Sequence, residues 1–217
     1  MNTYTCPSCG TPLSVRGKQS VVVVCTSCHN TLERTDVDLK LLGVVAEVPE
    51  DLSPFQLYTE GKLEGNTFTL IGRVKQGWQK GFWNEWYVFV DDGRYGWLAE
   101  AQGELFLLWH QPEGKLPKDL AALRKQLVAG RVVEIDGVQW RVLEARETSI
   151  IGLEGELPYS LTLGSKGYAI DLVAPGGLFA TLDFRTGGKA ADWFVGHHYH
   201  FDQLHFSNLR ELEGWRF

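Results

Sequence analysis

At 217 residues the chain has room for one or two domains and a sizeable core. A composition of 44% hydrophobic and 22% charged residues excludes a disordered chain, and no apolar run is long enough to span a bilayer. The net charge of −6 is split: Arg16, Lys18 and Arg34 against Glu33 give residues 1–35 a charge of +2, which leaves −8 on the other 182 and excludes the basic footprint of a nucleic-acid binder there.

The chain opens MNTYTCPSCG, with neither the basic start nor the apolar core of an export signal, so a cytoplasmic location without membrane insertion is expected. All four cysteines fall in the first 28 residues, as Cys6-Pro-Ser-Cys9-Gly10 and Cys25-Thr-Ser-Cys28-His29. Two residues between cysteines let both sulfurs point inward from one tight turn. Two such knuckles supply four thiolates to a tetrahedral zinc. Disulfides are disfavoured without an export signal. A thioredoxin-like motif needs one CxxC in a βαβ context. Cys25-Thr-Ser-Cys28-His29 also reads as a haem-attachment motif, but that would strand Cys6 and Cys9. The expectation is therefore a zinc ribbon over residues 1–35, with one structural zinc on Cys6, Cys9, Cys25 and Cys28 and with His29 a bystander. A closed four-sulfur shell leaves no position for substrate.

Residues 36–56 read as a connector punctuated by Pro49 and Pro54. From about Leu57 short apolar stretches alternate with Gly-containing turns, predicting a β domain over 57–213. One helix is predicted at 116–128, where Leu116, Leu120, Leu123 and Leu127 share a face and Gly130 follows as a stop. On either side of it stand Glu64-Gly65 followed by Phe68, Leu70 and Ile71, and Asp136-Gly137 followed by Trp140, Val142 and Leu143. This similarity predicts two copies of a β unit, at about 57–112 and 130–213, with Gly93 and Tyr95 matched to Gly167 and Tyr168. The expected fold class is mainly β: a four-cysteine zinc ribbon, then a duplicated barrel- or sandwich-like domain with one connecting helix.

The stretch GFWNEWYVFVDDGRYGWLAE, residues 81–100, concentrates the aromatic residues. A two-residue turn at Asp92-Gly93 pairs Val90 with Tyr95 and Val88 with Trp97. One face then collects Trp86, Val88, Val90, Tyr95 and Trp97, and the other Tyr87, Phe89 and Leu98. Both are apolar, so the hairpin is expected to be covered on both sides. Trp83, beside Asn84 and Glu85, is the ring expected at the surface, and these three form a candidate binding surface.

Gly81-Phe-Trp-Asn-Glu85-Trp, Gly96-Trp-Leu98, Gly103-Glu, Phe179-Ala-Thr-Leu-Asp183-Phe and Phe201-Asp-Gln-Leu204 together resemble the bacterial domain of unknown function 4178 (DUF4178) family. The resemblance covers nearly the whole chain. It implies a shared β-rich fold and no established activity. It also implies genomic company with polyamine-synthase-like and membrane proteins, hence an envelope-linked or polyamine-related system.

For catalysis the sequence offers one cluster, in Gly196-His-His-Tyr-His200-Phe-Asp202. On a strand His198, His200 and Asp202 share a side and form a candidate second metal or polar site. Asp171 and Asp183 are acids that nothing in the sequence marks. No phosphate-loop, dinucleotide or nucleophile-elbow motif is present. The expected function is a protein-binding or adaptor module whose partner is another protein. The alternative is a metal-dependent hydrolase or other enzyme using the cluster of His198 and His200.

Overall fold

A computed structural model describes residues 2–35, 37–46, 48–112, 114–184 and 190–213; the side chains of 44 and 45 lie outside that description. Fifteen strands and one helix occur among these residues. The ribbon holds β1 (Asn2–Thr5), β2 (Pro12–Val15), β3 (Val22–Val24), β4 (Asn30–Arg34) and β5 (Leu39–Val45). A first meander follows: β6 (Glu60–Leu63), β7 (Asn66–Trp78), β8 (Gly81–Val90), β9 (Tyr95–Ala101) and β10 (Glu104–His110). After α1 (Leu120–Gln126) comes a second: β11 (Val132–Ile135), β12 (Val138–Leu157), β13 (Lys166–Ala174), β14 (Leu178–Phe184) and β15 (Ala191–Tyr199).

The two meanders close on each other. β10 pairs with β15, and β12 returns to β7, so that β7–β10 and β12–β15 form an antiparallel ring. The 20-residue β12 serves its neighbours in turn, β13 along Arg141–Ser149 and β7 along Ser149–Gly155. At that last junction the backbones nearly touch. A Cβ on Gly72 would lie 1.8 Å from the Glu156 carbonyl oxygen, and one on Gly155 would lie 2.4 Å from that of Ile71. Only glycine permits such a crossing.

Three apolar layers result. Ile71, Val74, Tyr87, Trp97, Leu108 and Phe194 fill the ring, joined by Val22, Val24 and Ala46 from the ribbon. Outside the first meander, Trp86, Val88, Val90 and Leu98 pack beneath Phe55 and Leu204. Outside the second, Trp140, Ile170, Leu182 and Trp193 pack beneath α1 through Leu123 and Leu127. Strands covered on both faces need apolar residues at successive positions, which is why alternation is weak in these stretches.

Three expectations are corrected. The helix is shorter than 116–128: Asp119 accepts a hydrogen bond from the Ala122 N–H (2.8 Å) and fixes its start, and Leu127 ends it. The stretch 36–56 is not all connector, because β5 pairs with β4 and widens the ribbon's sheet. The aromatic hairpin turns through three residues, with Val90 N–H donating to the Arg94 carbonyl and Gly93 at φ 94°. Tyr87 therefore faces Trp97, and Trp86 faces Leu98. A one-residue slip of register exchanges the faces of a strand. Trp97 belongs inside the ring with Tyr87, and Leu98 outside with Trp86. Both faces are buried, as the composition of the stretch requires.

Candidate functional site

The two cysteine knuckles are built alike. In the first, Gly10 N–H donates to the Cys6 carbonyl and Cys6 N–H to that of Thr11; in the second, His29 N–H donates to the Cys25 carbonyl and Cys25 N–H to that of Asn30, each at 2.9 Å. Gly10 and His29 occupy matching left-handed positions, φ 77° and 57°. His29 thus serves as a turn residue. The four sulfurs lie within 4.8 Å of one another, with Cys6–Cys28 at 3.8 Å and Cys9–Cys25 at 3.7 Å. A tetrahedron of sulfurs at about 2.3 Å from a zinc has edges of about 3.8 Å, so the donor set fits a zinc-sized ion. Cys28 is shifted down to about 6 by hydrogen bonds from the Asn30 backbone and side chain, while burial pushes Cys25 up to about 11. Bound zinc would supply a structural cross-link here.

The ribbon is fastened to the ring by one buried carboxylate. Glu156 on β12 accepts from the backbone N–H groups of Arg16 and Gly17 (2.7 Å each) and from the Ser20 hydroxyl (2.6 Å). Beside it, Glu156 and Leu157 pair with Val23 and Val22. A second buried carboxylate, Asp51, fastens the segment after β5. Arg73 and Lys75 of β7 both bind it, and Arg73 also donates to Asn84. Burial alone would raise Asp51, but the Lys75 hydrogen bond and the Arg73 charge outweigh it and hold the carboxyl below its usual range.

Within the ring lies a cavity of about 90 Å³ walled by Trp83, Trp97, Phe106, Phe179 and Phe194. An outer cavity of about 250 Å³ is bounded by residues 159–162 and 165–167. Glu85, Tyr159 and Asp183 border both. Glu85 accepts from Trp83 Nε1 (2.9 Å) and, at 3.5 Å, from Gln76 Nε2. Burial raises Glu85 to about 7, with the nearby Asp183 and Asp171 adding to it against the Trp83 and Gln76 hydrogen bonds. Asp171 is also raised by burial, opposed by Arg146 and by the Thr181 hydroxyl at 2.9 Å. The two Nη atoms of Arg146 meet Glu144 and Asp171, its buried Nε has no hydrogen-bond partner among the described residues, and its guanidinium lies 4.9 Å from the Trp83 ring centre.

Trp83, Asn84 and Glu85 are therefore not a surface. Trp83 is only 8% exposed and points with Glu85 into the ring, while Asn84 points outward into the Asp51 network. Phe82, half exposed over Lys75, is the ring at the surface. Of the histidine cluster, His198 and His200 come together and Asp202 does not join them. Among the described residues only the four cysteines bring three or more donor atoms close enough to share a metal. His198 lies 2.5 Å from Glu104, and its ring centre is 5.0 Å from that of His200. The strand ends at Tyr199, and the chain then coils into a 3-10 turn at Phe201–Leu204 that exposes Asp202. The strand alternation that would align the three does not extend that far.

Residues 56–200 match the family described as Domain of unknown function (DUF4178). The chain belongs to the DUF4178 family. No curated protein and no solved structure matches it significantly. In this DUF4178 chain no helix among the described residues is long and apolar enough to cross a membrane. The matched span begins just ahead of β6 and ends just after β15, so it coincides with the two meanders and leaves out the cysteine ribbon. Gln76, Arg146, Glu156 and Asp51 escaped the sequence reading. For the chamber acids Glu85 and Asp183 the available signal was an acid at an inward position of an apolar strand, as in Trp83-Asn-Glu85-Trp-Tyr87 and Phe179-Ala-Thr181-Leu-Asp183.

Proposed function

We propose that this DUF4178 protein is a protein-binding, adaptor-type module, in which one structural zinc stiffens a docking strand and the ring provides the rigid body. The supporting observation is β5. It is the last strand of its sheet, with β4 on one side and no strand on the other among the described residues. It exposes Leu41 and Leu42 at 44% and 38%. An edge strand with outward amides and apolar side chains is a template for strand addition. The partner is an extended protein segment, apolar at alternate positions, whose acidic flanks suit Lys40 and the net positive ribbon. Hydrogen exchange with a co-purified partner tests this: amides of β5 gain protection on binding, and Leu41→Lys with Leu42→Lys abolishes it while metal content stays at one per chain. Unchanged affinity in that double variant would refute the reading.

We further infer that the two meanders are copies of one unit. Ile71 and Leu143 each bulge three residues after the aromatic that follows a Glu-Gly or Asp-Gly turn. By strand pairing, Ile170 occupies the place of Trp86 and Leu182 that of Leu98. The match of Gly93 to Gly167 is not part of this correspondence, since the former lies in a turn and the latter within β13.

A further inference from the structure

The chamber inside the ring is rich in hydrogen-bond acceptors. Among the described residues Glu85 is held by neutral donors alone: the indole N–H of Trp83 and the amide of Gln76. Gln76 is itself 91% buried (9% exposed), lines the outer cavity beside Glu85, and its Oε1 has no hydrogen-bond partner among the described residues. A buried acceptor without a donor costs free energy unless something arrives to donate. Beside Glu85 the inner cavity is lined by Asp171 and Arg146. The charge of Arg146 is already answered by Asp171 and Glu144. The walls of the inner cavity are aromatic faces, which attract cations and accommodate short hydrocarbon. Its volume of about 90 Å³ lies far below the roughly 300–1,000 Å³ of pockets for drug-sized ligands.

We propose that the ring is a receptor for a small organic ammonium ion, whose N–H groups meet Glu85 and Gln76 Oε1 while its hydrocarbon end lies between Trp83, Trp97 and Phe179. A neutral ligand would leave Glu85 without a counter-charge, and an anion would meet it head-on. A metal ion is disfavoured by geometry, since these carboxylates do not gather their oxygens as the cysteines gather their sulfurs. Cation recognition here is independent of the β5 surface and of any partner protein.

The test uses the full zinc-loaded chain at pH 8 with n-butylammonium chloride as the probe, followed by calorimetry and by tryptophan fluorescence from Trp83 and Trp97. Saturable binding of one equivalent is expected, with n-butanol, butyrate and sodium chloride at least tenfold weaker or silent. Glu85→Gln should weaken butylammonium at least tenfold. Gln76→Leu, which retains the carboxylate, should weaken it severalfold and keeps the proposal testable if the first variant fails to fold. A response equal to that of sodium chloride, or equal for butanol, would overturn the proposal and leave the chamber as a site for ordered water. So would undiminished binding by a folded Glu85→Gln chain.

Discussion

The ribbon and the ring solve the same problem in opposite ways. The ring buries apolar residues on both faces of its strands, so it carries three stacked layers of core and tolerates carboxylates inside. The ribbon gathers a handful of buried side chains around its cysteines, Leu13, Val15, Val23, Leu32 and Leu39 among them. A piece that small gains little from burial alone, and its four clustered cysteines could hold a metal ion that makes up the difference. It also borrows, because Val22 and Val24 pack into the ring's interior layer. Adjacent residues of one short strand thus serve two cores, and a division at residue 35 runs through shared structure.

The comparison breaks most severely when the metal is removed. Structural zinc in comparable peptides contributes an apparent ~10–16 kcal/mol at neutral pH. Chelation, or Cys25→Ser, is expected to collapse the amide dispersion of the ribbon while the ring stays folded with a lower melting temperature, since Val22, Val24 and Ala46 leave its core. A ribbon that keeps native dispersion without metal would show that burial suffices there.

The ring has its own weak points, and they are not metal-linked. Asp51→Ala leaves Lys75 buried without its anion and Arg73 with only Glu154, at 3.8 Å, a change that costs about 3–5 kcal/mol in buried pairs. Trp86→Ala, at a fully buried site, should cost a similar ~3–5 kcal/mol. Urea titration should register both losses while zinc stoichiometry remains unchanged. A loss of zinc in either variant would mean that ribbon and ring fold as one unit.

Glu156→Gln addresses the joint between them. Replacing a carboxylate that gathers three donors should cost roughly 1.5–3 kcal/mol. Hydrogen exchange in residues 16–24 should accelerate before the rest of the ring does. Uniform acceleration would instead make Glu156 part of the common core.

The smallest effect expected is a pH dependence at Glu85. Its folded pKa lies near 7, above the ordinary value of 4.5, so its contribution to stability is fully present below about 4.5 and is lost as pH rises through 7. The groups facing it are Asp183, Asp171 and Arg146, with the neutral Gln76 and Trp83. Glu85→Gln should therefore melt higher than the parent at pH 8, with the gap narrowing toward pH 5. A gap independent of pH would mean that Glu85 carries a full charge in the fold throughout.

Local chemistry was legible along the chain. Each cysteine pair, Cys6 with Cys9 and Cys25 with Cys28, is presented by a knuckle that closes through hydrogen bonds between residues at most five apart. The Glu64-Gly65 and Asp136-Gly137 turns are two-residue hairpin loops that need positive φ at both positions, which each glycine adopts at no steric cost. Heavy burial of the aromatic hairpin followed from its composition. The misplacement of Trp97 came from a turn one residue longer than Asp-Gly suggests, and a single slip of register reverses every side chain after it.

What the tertiary structure alone decided is which acids meet. Glu85, Asp171 and Asp183 stand on three different strands and share a chamber because β12 turns back to β7 and closes the ring. Closure depends on backbones passing at Gly72 and Gly155, 83 positions apart, and on strand registers that accumulate over the whole circuit. The same closure buried Trp83 and gave Asp51, a residue of an unremarkable connector, two buried cations. Short-range sterics and chelation are written within a few residues of sequence; the electrostatics of an enclosed space depends on distances that exist only after folding.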